Sequence, residues 1–130
     1  MAEIETEKVS FNMSVVDLGQ VDLLVEQGFF SSRTDFIRTA VRNLLLTHAP
    51  TVQRTVTQQF MGLGAVTYNR KALERLQTSR KQMDIRMVGV VVLTKDVTPE
   101  LARATIKSIK VLGVLRASAE VKAALQDRIE

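Results

Sequence analysis

Gly28-Phe29-Phe30-Ser31-Ser32-Arg33-Thr34-Asp35-Phe36-Ile37-Arg38 decides how the first half of the chain folds. It closes one apolar-periodic stretch and opens another. Upstream, Leu18, Val21, Leu24 and Val25 recur at helical spacing behind Ser14, which is placed to cap the helix N-terminus with Asp17 three residues on. Gly19 inside this helix costs about 1 kcal/mol relative to alanine. Gly28 is the expected C-terminal cap. Downstream, Ser32 is the expected N-cap and Asp35 the third helical residue. Ile37, Ala40, Val41 and Leu44 then form an i, i+3, i+4, i+7 stripe, with Arg38 and Arg42 on the outer face. His48 and Pro50 are expected to end this second helix.

Before both helices, Lys8-Val9-Ser10-Phe11-Asn12-Met13-Ser14 alternates polar with apolar residues. That is the period of a half-buried strand, with Val9, Phe11 and Met13 on one face. A lone strand leaves its backbone groups unsatisfied, and no second strand pattern occurs before residue 60. The expected partner is the same strand of another chain.

A strand and two helices joined by this turn resemble the ribbon-helix-helix family of DNA-binding repressors, over about residues 7–47. The resemblance implies an obligate dimer whose paired strands enter the major groove of double-stranded DNA. On it, the base-reading positions fall on Lys8, Ser10 and Asn12. Lysine can donate to guanine, asparagine can bond adenine at two points, and serine bonds either. The phosphate positions fall on Ser31, Ser32 and Arg33 at a helix N-terminus, where amides and dipole favour an anion. Arg33 has a second expected use, pairing with a carboxylate such as Asp35 or one of the partner chain. The dimer core is expected from Val9, Phe11, Met13, Ile37 and Val41. Glu3, Glu5 and Glu7 depart from the basic arm common in DNA binders and are repelled by phosphate.

Charge divides the chain. Residues 1–60 carry a net −2 and residues 61–130 a net +6, within a total of +4. Pro50 and the polar run 51–59 fall at the change and are expected to be a connector. Beyond it the sequence repeats. Ile85-Arg86-Met87-Val88-Gly89-Val90-Val91 matches Ile109-Lys110-Val111-Leu112-Gly113-Val114-Leu115, and Val97 and Leu101 match Val121 and Leu125. Leu63-Gly64-Ala65-Val66 is a weaker copy. Each copy reads as a short apolar strand and then a helix, with helix starts at Asn69 and at Thr98-Pro99-Glu100. This resembles, in architecture alone, a leucine-rich-repeat-like solenoid of parallel strands, the alternative being a compact α/β domain. Unpaired edges at the first and last copies invite association with the same module, and Val90, Val92 and Val114 are the residues expected to serve oligomerisation. A C-terminal helix from Ala119 to Ile129 is placed to cover one end.

The expected organisation is α+β: an acidic arm at 1–7, a ribbon-helix-helix domain at 8–48, a linker at 49–60, and a β-α repeat oligomerisation domain at 61–130. No cysteine and a single histidine, His48, leave neither thiol chemistry nor the ligands that nickel-responsive relatives of the family use. No cofactor, metal or catalytic residue is therefore expected. No apolar run approaches a membrane span, and with the acidic stretch Met1–Glu5 followed by no apolar region, secretion is not expected. The expected function is a cytoplasmic, nucleoid-associated transcriptional repressor that forms homodimers and higher oligomers. The alternatives are a DNA-tethered polymerising scaffold and an antitoxin.

Overall fold

A computed structural model describes residues 6–130. Glu3 and Glu5 of the expected acidic arm lie outside the described residues. The chain divides after Val52 into two compact units.

The first unit holds helix α1 (Val15–Glu26) and helix α2 (Arg33–Thr47). Just past the end of helix α1 stands Gly28, whose φ of +86° suits glycine. The amide of Gly28 donates to Val25 O at 3.0 Å and that of Phe29 to Leu24 O at 3.0 Å, which satisfies two end carbonyls. Phe30 and Phe36 meet edge to face at 5.0 Å and brace the turn. Ser32 caps α2, its Oγ accepting from the Asp35 amide at 3.0 Å. Ser14 stands at the N-cap position of α1, but its side chain makes no capping hydrogen bond. Residues 6–14 form no strand: strand hydrogen bonds need a second strand, and the described residues of the first unit hold none.

Residues Ala49–Gln59 form helix α3, so the connector is helical rather than irregular. The expected stop after His48 lasts only that long: Pro50 falls in a first turn, where no intrahelical N–H is required.

The second unit alternates strand and helix: β1 (Gly62–Tyr68), α4 (Arg70–Thr78), β2 (Met83–Leu93), α5 (Pro99–Thr105), β3 (Ile106–Arg116) and α6 (Ala119–Ala124). The strands are parallel, in the order β1-β2-β3. The matching sequence segments lie side by side, Ile85 opposite Ile109 and Gly89 opposite Gly113, with Gly64 opposite Gly89. Side chains of Asn69, Thr98 and Ser118 cap the three helices.

Period-two alternation in β2 buries Ile85, Met87, Val91 and Leu93. Leu73, Val97, Leu101, Ala102, Val121 and Leu125 close the same core from the helix side. Each large aliphatic group removed from water there contributes about 1.5–3 kcal/mol. Thr105, also fully buried, donates its hydroxyl to Leu101 O at 2.7 Å. The opposite face carries rows such as Leu63, Val88 and Leu112, of which Leu63 is 66% and Leu112 51% exposed.

The expected C-terminal helix is shorter than Ala119–Ile129. It ends at Ala124, a 3-10 turn covers Gln126–Arg128, and Ile129 bridges to Ile109 in parallel. The Glu130 amide donates to Ile109 O at 2.8 Å. The chain thus turns out of the helix to satisfy a carbonyl on the outer edge of β3.

Candidate nucleic-acid interface

Lys8, Ser10 and Asn12 are all exposed and alternate along residues 8–12 with Val9 and Phe11. The apolar members are exposed too: Val9 is 78% and Phe11 61% exposed. The segment runs beside α2. Val9, Ile37, Val41 and Leu45 line one groove, with Arg38 and Arg42 among its walls. Val9, Phe11, Met13, Leu18 and Ile37 line a second. The two grooves bring together every residue expected in the dimer core.

Val21, 4% exposed, is the buried side chain of α1, and α2 has none. Leu44, Leu45 and Leu46 are all open. Two helices with so little buried surface do not offset the conformational entropy of their own ordering.

The start of α2 offers anion-binding amides, but Asp35 already uses two of the local groups. Its carboxylate accepts from the Ser31 amide at 2.9 Å, while its own amide donates to Ser32 Oγ. Among the described residues no acceptor meets the amides of Ser32, Arg33 and Thr34, which point from the positive end of the helix.

Arg33 does not meet Asp35. It pairs with Asp22 of α1, Nε to Oδ1 at 2.7 Å and a terminal nitrogen to Oδ2 at 2.8 Å. The Arg33 hydrogen bond holds the Asp22 carboxyl below its ordinary value, and Asp22 raises the arginine in return. Asp22 is the Arg33 partner that pattern reading missed. It lies eleven residues away on a different helix, and its only signal was an acidic group on the polar side of α1.

Val90, Val92 and Val114, the residues expected to serve association, lie on β2 and β3. Val90 and Val92 belong to the central strand, paired on both sides, so they offer no edge. All three occupy the open sheet face, Val90 directly opposite Val114. At one end of that face the guanidinium of Arg86 sits 5.3 Å from the Phe60 ring centre and the Lys110 ammonium 5.9 Å. Among the described residues no group of three potential metal ligands converges, and no helix is long and apolar enough to cross a membrane.

Compared with known protein families, residues 4–122 match the model described as the Ribbon-Helix-Helix transcriptional regulator family. No curated protein and no solved structure matches the chain.

Proposed function

The chain belongs to the ribbon-helix-helix transcriptional regulator family, a DNA-binding family, and on that premise we propose that it is a sequence-specific repressor acting as a dimer. The observation that carries the reading is the bare apolar side of residues 8–14 and α2. Val9, Phe11, Val41, Leu44 and Leu45 all face outward. A second copy that pairs its own residues 8–14 antiparallel supplies the missing backbone partners and covers these side chains together. Burial of each then contributes about 1.5–3 kcal/mol.

In that dimer the polar residues take the outer face of a two-stranded ribbon. Lys8, Ser10 and Asn12 of both copies reach base edges in the major groove. The open amides of Ser32, Arg33 and Thr34 take a phosphate and fix the register. Arg33 reaches that phosphate only by sharing its guanidinium with Asp22, so the amides carry more of the contact. Residues 8–60 hold a net +1, and one dimer therefore gains little from phosphate neutralisation. The second unit, read as a short β-α repeat domain, compensates by joining dimers on neighbouring sites in the cytoplasm. The valine row of its open face and its sheet edges are the surfaces available for this.

Selection of bound duplexes from random DNA tests the reading. Enrichment of a palindrome or of spaced repeats is the expected result. Binding without enrichment would favour a DNA-tethered scaffold, and no binding at all would end the proposal.

A further inference from the structure

Helix α4 and the turn after it carry positive charge that the fold does not use, and we infer that Lys71, Arg75, Arg80 and Lys81 form a second DNA contact, one that holds backbone phosphates irrespective of sequence. This rests on the reading that the chain binds duplex DNA, and it adds a surface on the second unit to the one on the first.

Most arginines beyond residue 60 are already engaged. Arg70 pairs with Glu74, Arg86 with Glu130 and Arg103 with Asp127. Arg128 donates to the carbonyls of Arg103 and Ile106, and Arg116 also has a partner. The remaining two are Arg75 and Arg80, whose guanidinium groups meet no acceptor among the described residues.

Helix geometry groups these two with two lysines. Leu73 is buried in the core and Leu76 packs against it, so Lys71 and Arg75, four residues apart, share the outward side of α4. Arg80 and Lys81 follow just past its end, and all four are exposed. Over residues 70–81 five basic residues stand against one acidic residue, Glu74, and Arg70 takes its carboxylate at 2.6 Å. Like charges four apart on a helix repel, which is a cost to the fold. The dipole at the end of α4 offsets part of it for Arg75, in the last turn.

Arg80 carries a further cost. Helix α4 closes as α1 does. The Arg80 amide donates to Gln77 O and the Lys81 amide to Leu76 O, both at 3.0 Å, as Gly28 and Phe29 donate to Val25 and Leu24. In each turn the first residue is left-handed, Gly28 at φ +86° and Arg80 at φ +54°. Glycine is the usual occupant, because a side chain there strains the backbone. Among the described residues Arg80 is the one non-glycine residue with positive φ. An arginine where glycine fits better, with its guanidinium unheld, points to a contact outside the chain.

Charge identifies the partner. The chain belongs to a DNA-binding family. Residues 61–130 hold a net +6 and residues 8–60 only +1, while affinity for duplex DNA grows with the number of phosphates neutralised. Exposed lysines and arginines on a helix surface fit phosphates, which position a protein without reading sequence. The shortfall of the first unit is thereby met within one dimer as well as by association.

The test titrates the full-length protein by fluorescence anisotropy against its selected duplex and against random duplex over a range of salt. Arg75→Gln/Arg80→Gln is compared with Lys95→Gln/Lys122→Gln, which removes the same charge from exposed positions outside α4. The first variant is expected to lose affinity for both duplexes by the same factor. Its slope of log affinity against log salt should become shallower by about 1 for each lost contact, about 4 for a dimer. The control should change the slope far less. Equal losses in the control would mean that net charge rather than this surface attracts DNA, and would overturn the inference. Arg80→Gly separates contact from fold: it should raise the midpoint of thermal unfolding by relieving the left-handed strain, and still lower DNA affinity. A lower midpoint with unchanged affinity would make Arg80 structural and overturn its assignment. An unchanged slope in Arg75→Gln/Arg80→Gln, with Asn12→Ala still impaired on the selected duplex, overturns this contact and leaves the first unit's reading standing. A natural protein that binds neither duplex overturns both.

Discussion

Arg33 and Asp22 meet through two hydrogen bonds across the α1–α2 turn, so the residue that could touch a phosphate also holds the two helices in register. The Asp22 carboxyl is held below its ordinary value by that arginine, and a lowered folded-state value stabilises the charged form. The stabilisation is present at neutral pH and is lost as pH falls through the lowered value. Thermal melts of Asp22→Asn should fall below those of the natural protein at pH 7, and the gap should close in acid. A gap independent of pH would assign the loss to packing rather than to charge. Asn12 tests recognition instead. Asn12→Ala should cost about 1–3 kcal/mol on the preferred site and far less on random DNA. Equal losses on both, measured by fluorescence anisotropy, would mean that residues 8–14 do not read bases.

The segment 8–14 and the strand β2 are opposite cases of the same element type. The first has the alternation of a strand but no paired strand among the described residues of the first unit, and it remains irregular with Phe11 exposed. Phe11→Asp should therefore abolish the folded first unit and not merely weaken DNA binding. Sedimentation together with circular dichroism would read this, and a folded monomer would remove the ribbon from the account. In β2, by contrast, both edges are paired and the close approach at Gly89 leaves no room for a methyl group. Gly89→Ala should unfold the second unit or force the sheet apart at that row. Gly28→Ala, with open space around it, should lose only about the 1–2 kcal/mol of left-handed strain. Denaturant melts that rank the two variants the other way would contradict the glycine packing.

At the scale of the molecule, the proposed function assigns DNA contact to the first unit and association between copies to the second. Val114→Lys puts a charge beside Val90 on the open sheet face, next to the edge of β3. It should weaken association of the full chain and lower its apparent affinity for adjacent sites, because linked dimers bind at a raised effective concentration. Affinity for a single isolated site should not change. Parallel measurements on one-site and two-site duplexes separate the two effects.

Local patterns were enough to identify much of this protein. The Gly28–Arg38 turn, with its cap at Ser32 and its left-handed glycine, is built from contacts within a few residues, so reading along the chain recovers it. The same holds for the helix starts at Asn69 and Thr98, and for the in-register repeat of Ile85–Val91 with Ile109–Leu115, which is visible as plain similarity. Tertiary structure decided what depends on residues far apart. It paired Arg33 with Asp22 and turned residues 49–59 into a helix. It also ended α6 at Ala124, because the Ile109 carbonyl on the outer edge of β3 draws in Glu130 from twenty-one residues away. Period and capping report what each residue prefers, whereas ion pairs, strand order and edge hydrogen bonds follow from which segments arrive side by side.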